Sequence, residues 1–263
     1  MIYLDNAAGS HPKPPAIGAA MARALDIYGA NPGRGNHEMT RRTAAMVEGV
    51  RQQAAQFFGL ADPSRVIFTA GATMSLNMAI CGLLRDGDTL LLPGMEHNSV
   101  SRPATALEDA GKIKIVALRG DKYGYLRTDA ITAACAGRVH PALMALTLAS
   151  NVCGAVAPLE EICRICRQRN IPLLVDAAQS AGLIEINMGK TPLSMLALAG
   201  HKALYGPPGI GLLLVSDRVS PAPFVRGGQA ARFDEIACRG GELGSGVASG
   251  RAVVGGAGAG APP

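Results

Sequence analysis

The chain has 263 residues, enough for one large α/β domain with a well-buried core, and its 48% of hydrophobic residues gives no compositional case for general disorder. The formal net charge is +5, but lysines and arginines are scattered and only 4% of residues are aromatic, which argues against a base-stacking surface for nucleic acid. The six cysteines form no dense framework, so reduced thiols are expected rather than disulfide bonds.

Short apolar runs alternate with helical stretches along the first two thirds of the chain. Strands are predicted at residues 66–68, 89–92, 114–118, 143–148, 173–175 and 212–215. The intervening segments include predicted helices at 43–58 and 159–169, and another helix is expected to begin near residue 74. This alternation predicts an α/β fold in which a mostly parallel sheet is covered by helices on both faces.

Three features that point to other functions have simpler explanations. The start of the chain has neither a basic segment nor a useful apolar run, so no signal peptide is expected. The uncharged stretch 141–159 is interrupted by prolines and polar residues, so a strand followed by a loop explains it better than a membrane span. Cys163 and Cys166 are spaced as a CxxC without a second pair, and we expect them to share a helix face in the core. A cytoplasmic protein without membrane contact is predicted.

Two strings later in the chain place ionisable residues beside predicted strands. Asp176 directly follows an apolar run, so its carboxylate is expected at the carboxyl end of a buried parallel strand, where α/β sheets bind ligands. Lys202 precedes a turn rich in glycine and proline that leads into the next strand. Taken singly, such an aspartate is often a helix cap and such a lysine is usually solvated. Together they match what pyridoxal 5'-phosphate requires, a carboxylate for the pyridinium nitrogen and an amine for a Schiff base.

Further strings occur in an order that matches a known family. They are IYLDNAA at 2–8, FTAGAT at 68–73, MEHNSV at 95–100 and SNVCG at 150–154. With the Asp176 and Lys202 strings, the chain resembles, over roughly residues 2–228, a class V aminotransferase of pyridoxal-phosphate fold type I. The resemblance is greatest to the cysteine desulfurase and selenocysteine lyase branch. It implies an N-terminal segment at 1–15 and a cofactor-binding large domain at 16–228.

The resemblance also implies a role for each residue around the cofactor ring. It places His97 on the face of the pyridine ring, with Asn151 and Gln179 at the phenolic oxygen. It gives Asp176 the ring nitrogen and Lys202 the Schiff base. Each role suits its side chain, because an imidazole offers a flat face and relays protons, while amides donate without adding charge. Outside this motif His97 would be interpreted as a surface or capping histidine, and Asn151 as an ordinary turn residue.

The phosphate end of the cofactor is predicted from helix physics. A glycine-containing turn precedes a helix whose free N–H groups face an anion, so Ala72 and Thr73 are the expected phosphate contacts. His201 matches a family residue that also reaches the phosphate. Two positions depart from the family pattern: Ala199 replaces a serine and Met74 replaces a glutamate found in many relatives. Losing the serine hydroxyl is expected to weaken cofactor binding by about 1 kcal/mol or somewhat more.

The end of the chain differs from the family pattern. Residues 240–263 include nine glycines, so the segment 229–263 is predicted to be a disordered Gly/Ala-rich tail in place of the small C-terminal domain of relatives. The family's substrate-clamping arginine and sulfur-accepting cysteine come from that domain, so neither is assigned here. Cys238 is the last cysteine of the chain, but its position alone does not assign it the sulfur-accepting role. Ser245-Gly246-Val247 lacks the threonine that relatives extend to the neighbouring subunit.

The leading hypothesis is therefore a cysteine desulfurase-like enzyme that acts on L-cysteine, with a sulfur acceptor protein as partner and a homodimeric assembly. One alternative is another class V aminotransferase or lyase, which would share the early steps of the reaction. A second alternative is a catalytically impaired chain that holds the cofactor without turning over. The cysteine loop that would distinguish these alternatives is not recognisable in the sequence.

Overall fold

The computed structural model describes residues 2–33, 35–121, 123, 125–135 and 139–224. The predicted tail at 229–263, with Cys238 and Ser245, lies outside these residues, and the predicted boundary at residue 228 stays a prediction. The described residues include one seven-stranded sheet with helices packed against it. The α/β class predicted from the sequence is therefore confirmed.

The sheet is mostly parallel, as predicted. Its strands are β1 Val66–Thr69, β2 Thr89–Pro93, β3 Lys114–Leu118, β4 Leu143–Thr147, β5 Leu173–Asp176, β6 Met195–Ala199 and β7 Gly211–Val215. Their order across the sheet is β1-β7-β6-β5-β4-β2-β3, and only β7 runs antiparallel to its two neighbours. The carboxyl ends of β2, β4, β5 and β6 therefore meet at one edge of the sheet.

Six α-helices lie among the described residues, together with a short 3-10 helix at Pro63–Arg65. They are α1 Pro15–Ile27, α2 Glu38–Phe57, α3 Ala72–Leu83, α4 Asn98–Asp109, α5 Thr128–Ala134 and α6 Leu159–Gln168. Helix α2 begins earlier than predicted because the ring of His37 caps it by accepting a hydrogen bond from the Thr40 N–H, and histidine is not among the usual capping residues. None of the described helices is both long and apolar enough to span a membrane.

Each face of the sheet buries its own hydrophobic cluster, and alternation along β4 shows how. Met144 and Leu146 point into the cluster formed with α2, α5 and α6, whereas Leu143 and Ala145 point into the cluster formed with α3 and α4. All four side chains are at most 2% exposed. A strand buried on both faces has no polar alternation, which explains the continuous apolar runs in the sequence. The predicted covering of both faces is confirmed.

Strand β6 is not predicted from the sequence. Its residues, Met195–Ala199, are alanine, leucine and methionine, which favour helices when local preference alone is considered. In the structure every one of them is buried, between β5 on one side and β7 on the other, so pairing with both neighbours overrides the local preference. Strand β6 matters for the site because Lys202 lies three residues after its end.

The CxxC pair lies in the core, as expected. Cys163 and Cys166 are 1% and 2% exposed on the inner face of α6, and burial raises the pKa of each thiol to about 12. Thiols with such pKa values stay protonated and unreactive at neutral pH. No group of residues suited to a metal ion occurs in the described part of the chain, and five of the six cysteines are free there.

Strand β7 begins where two backbones touch, which leads to a packing prediction. A β carbon at Gly211 would lie 2.6 Å from the backbone of Gly71 and 2.6 Å from the carbonyl oxygen of Leu198. We expect Gly211→Ala to lower the free energy of unfolding by about 2 to 3 kcal/mol, because these backbone atoms must move. Gly49→Ala in α2, where nothing lies within 4 Å, is the control and should stabilise by up to about 1 kcal/mol. Urea denaturation measures both, and equal effects would contradict the prediction.

Candidate active site

A cavity of about 930 Å³ opens at the edge where the parallel strands end. The chain leaves β2 toward β3 on one side and returns with β4 on the other, and such a reversal of strand order creates a crevice at the carboxyl ends. All the residues selected from the sequence line this cavity: Ala72, Thr73, His97, Asn151, Asp176, Gln179, His201 and Lys202. Tertiary structure thus brings together side chains that are spread over most of the chain.

Asp176 is the last residue of β5 and is only 4% exposed. Its Oδ1 atom accepts a hydrogen bond of 2.9 Å from the Ala178 N–H, and its Oδ2 atom has no donor among the described residues. Burial raises the pKa of this carboxyl group, while the Ala178 hydrogen bond and the positive charges of His97 and Lys202 lower it. The site therefore holds a buried carboxylate that favours a cationic partner.

Lys202 lies in a tight turn after β6. The Tyr205 N–H donates to the Lys202 carbonyl oxygen at 2.7 Å, and the Gly206 N–H donates to that of Gly200 at 2.7 Å. Tyr205 has a φ of 58°, a left-handed conformation that is rare for such a residue. Burial lowers the pKa of the Lys202 amine, and the negative charge of Asp176 opposes this shift. A larger fraction of the amine is therefore neutral and nucleophilic than for a solvated lysine.

His97 both caps a helix and lines the cavity, so its interpretation as a capping residue is compatible with its interpretation as a cofactor contact. It is the N-cap of α4, where its Nδ1 atom accepts a hydrogen bond of 3.1 Å from the Ser99 N–H. This bond places the proton of the neutral ring on Nε2. Its positive form is close enough to Asp176 to lower the pKa of that carboxyl group.

The N-terminus of α3 faces the cavity without a capping side chain. Its N-cap is Gly71, and Ala72 and Thr73 are its first two residues. The first N–H groups of a helix have no partner inside the helix and attract anions. Nearby, the Nδ1 atom of His201 is buried and has no hydrogen-bond partner among the described residues. Burial lowers the pKa of His201, with smaller contributions from the charges of Lys202 and Lys13.

The two amide side chains occupy different settings in the cavity wall. Gln179 donates from Nε2 to the Ala7 carbonyl oxygen at 2.8 Å, which ties the N-terminal segment to the loop after β5. Asn151 is exposed in the turn that follows β4. Asp5, Ala7 and Ala8 also line the cavity. The predicted N-terminal segment at 1–15 therefore contributes one wall of the site.

The sequence of the chain matches the family model of aminotransferase class-V over residues 2–247. The chain belongs to the class-V aminotransferase family. The resemblance found in the motifs is thereby confirmed. The match covers every element that contributes a side chain to the cavity.

Several similar proteins are named cysteine desulfurases, and one similar structure was solved in complex with cysteine. Cysteine desulfurase IscS of Shewanella pealeana is 34% identical over 82% of this chain and 53% of the relative. The apo structure of a cysteine desulfurase from Thermococcus onnurineus has a TM-score of 0.80 at 32% identity, over 86% of this chain and 57% of that one. A structure of SspA in complex with cysteine has a TM-score of 0.80 at 29% identity, over 90% and 70%. The chain spans about half the length of the curated relatives it matches.

Sequence reasoning missed some side chains of the cavity wall. Those lining the cavity include Asp5, Ser99, Thr147 and Phe224. Thr147 ends β4 in register with Asp176 and donates from Oγ1 to Glu96 Oε2 at 2.5 Å. Burial raises the pKa of Glu96 to about 8, and the negative charge of Asp176 adds to this shift. Two features of the sequence could have identified these residues: Thr147 lies near the end of a predicted strand, and Glu96 lies directly before His97.

The pKa of Glu96 predicts how stability depends on pH. Between its ordinary pKa of 4.5 and its folded pKa of about 8, the folded chain keeps a proton that the unfolded chain has lost. Stability is therefore expected to fall as the pH rises through this range, by at most about 1.4 kcal/mol per pH unit. Glu96→Gln should reduce this slope in urea denaturation across the same range, leaving the part that comes from Asp176.

A matched control for this prediction is Glu185→Gln. Glu185 is 83% exposed and lies 3.7 Å from Lys190 at the surface, so its replacement should leave the slope unchanged. An unchanged slope in Glu96→Gln would mean that Glu96 is ionised at neutral pH in the folded chain.

Proposed function

We propose that this chain binds pyridoxal 5'-phosphate and acts on L-cysteine in a reaction of the cysteine desulfurase type. The observation that carries the proposal is the pairing of a buried carboxylate, Asp176, with a partly desolvated amine, Lys202, in one cavity. The names of the similar proteins, and the cysteine bound in one of them, support the choice of substrate. A homodimer in the cytoplasm that passes sulfur to an acceptor protein completes the proposal.

The residues present fit this cofactor. The His201 Nδ1 atom and the start of α3 lie on the same cavity, and among the described residues neither has a side-chain partner, so both suit a phosphate group. The Oδ2 atom of Asp176, which has no donor within the described part of the chain, suits the protonated nitrogen of a pyridine ring. The cavity volume of about 930 Å³ is within the range of small-molecule sites. Ala72 and Thr73 would contact the phosphate, and Asn151 and Gln179 the phenolic oxygen.

When bound, pyridoxal phosphate supplies an electron sink that stabilises negative charge at the α carbon of an amino acid. Asp176 would hold the protonated ring nitrogen through its carboxyl group. Lys202, with its lowered pKa, accepts a proton at Nζ and returns it. His97, whose ring also lines the cavity, is a second proton carrier at this site.

No cysteine of the described residues lines the cavity, and none is assigned the sulfur-accepting role. Cys153 is exposed, and a hydrogen bond with Ser150 lowers the pKa of its thiol. It is not among the residues that line the cavity, although it lies two positions after Asn151. We therefore expect persulfide transfer to depend on a thiol other than Cys153.

The test of this function uses the purified 263-residue chain with pyridoxal phosphate. We expect a visible absorption band on binding, a change of that band on adding L-cysteine, and release of alanine. D-cysteine is the matched control and should release no alanine. Binding without alanine release would favour a cofactor-holding chain that does not turn over. Absence of any band would contradict the proposal.

A further inference from the structure

Ser99 joins the N-termini of two helices at the cavity. Its side chain is 8% exposed and lies in the first turn of α4. Its Oγ atom is 2.9 Å from Thr73 Oγ1, at the start of α3, and 2.9 Å from His97 Nδ1. All three residues line the cavity, so an uninterrupted row of hydrogen bonds leads from the expected phosphate end to the imidazole.

The direction of these hydrogen bonds depends on the protonation of His97. When Nδ1 carries no proton, it accepts from the Ser99 N–H. When Nδ1 is protonated, that backbone bond is lost and the nearest acceptor is the Ser99 Oγ atom. A hydroxyl group that accepts from the ring donates its own proton onward, here to Thr73 Oγ1. The hydroxyl proton of Thr73 then points away from Ser99.

We propose that Ser99 is a positioning residue that couples an anion bound at the start of α3 to protonation of His97. An anion that accepts from the Thr73 hydroxyl leaves Thr73 Oγ1 to accept from Ser99, which frees the Ser99 oxygen for the proton on Nδ1. The inference rests on the proposed function, since the anion is the cofactor phosphate. Its consequence is that His97 gains its proton when the phosphate end is filled.

Other charges also act on His97, and they set what a control must keep constant. The ionisable residues of this cavity wall and the residue preceding His97 are Asp5, Glu96, Asp176, His201 and Lys202. A negative charge on Asp176 and a bound anion attract a positively charged ring, whereas a positive charge on Lys202 repels it. None of these charges changes when the Ser99 hydroxyl is removed. The difference between the wild type and Ser99→Ala therefore isolates the hydroxyl.

The experiment is a nuclear magnetic resonance titration of the imidazole groups in the 263-residue chain. The five histidines make assignment tractable, and the His97 signal is identified by its loss in His97→Gln. Inorganic sulfate is the probe, because its charge stays constant through the neutral pH range. Amide signals of Ala72 and Thr73 report whether sulfate binds at α3.

We expect sulfate to raise the titration midpoint of His97 by about one pH unit more in the wild type than in Ser99→Ala, the size of a hydrogen bond to a charged ring. Ser99→Thr, which keeps the hydroxyl, should restore the wild-type shift. Thr73→Val should abolish it without altering α4, which keeps the inference testable if Ser99→Ala does not fold.

Sulfate could shift the His97 titration midpoint equally in the wild type and in Ser99→Ala while the amide signals of Ala72 and Thr73 also change. That result would show that the anion site exists but that Ser99 does not couple it to His97. If sulfate does not shift the amide signals of Ala72 and Thr73 in the wild type, no anion binds at the start of α3. Both the coupling and the proposed phosphate contacts would then be wrong.

Discussion

Lys202→Ala is expected to abolish covalent retention of pyridoxal phosphate. The amine of Lys202 is the one that lines the cavity beside Asp176, and its lowered pKa increases the nucleophilic fraction at neutral pH. Borohydride reduction followed by mass spectrometry should find the wild-type chain modified on the peptide that contains residue 202. The variant should show no modification above background.

Two further variants separate the possible causes of that loss. Lys202→Arg keeps the positive charge beside Asp176 but cannot act as a nucleophile at neutral pH, so it should also lose the covalent cofactor. Lys190→Ala removes an exposed lysine whose amine lies 3.7 Å from Glu185 at the surface, and it should retain full modification. Modification of Lys202→Ala at another lysine of the chain, at wild-type yield, would show that the assignment is wrong.

Asp176→Asn is expected to slow exchange of the substrate α proton by at least about a hundredfold, the effect of removing one electrostatic group aimed at a developing charge. The amide keeps an oxygen for the Ala178 N–H but cannot hold a protonated ring nitrogen. Exchange of the α proton of L-cysteine or L-alanine into heavy water measures this step without requiring a sulfur acceptor. Asp129→Asn, at an exposed position paired with Arg127, is the control and should exchange at the wild-type rate.

The same substitution has a second expected effect, on stability. Burial raises the pKa of Asp176, so above the ordinary pKa of an aspartate the folded chain binds a proton at this carboxyl group more tightly than the unfolded chain does, and stability falls as the pH rises. Asp176→Asn should therefore unfold at a higher urea concentration than the wild type at neutral pH, before cofactor is added. A variant that is slower and also less stable would indicate that Asp176 serves the fold rather than the chemistry.

Local sequence patterns predicted much of the fold because each pattern reflects burial of a single element. The continuous apolar runs around Val175 and Leu146 indicated strands covered on both faces, and the predicted ranges agree closely with β4 and β5. Strand β6 was missed because the preferences of alanine and leucine point to a helix, and only pairing with two neighbouring strands makes this segment extended. The start of α2 was missed because a histidine, His37, provides the cap.

Among the candidate site residues, the chain order of the motifs by itself selected side chains that the structure brings together in one cavity. Asp176 and Lys202 were found because each stands next to a local signal, a strand end or a constrained turn. The roles of Glu96, Thr147 and Ser99 were decided only by tertiary structure. Glu96 has a raised pKa because packing buries it near Asp176, and Ser99 reaches both Thr73 and His97 because α3 and α4 begin side by side. Charge state and hydrogen-bond direction depend on distances between residues far apart in the chain, and no local pattern records such distances.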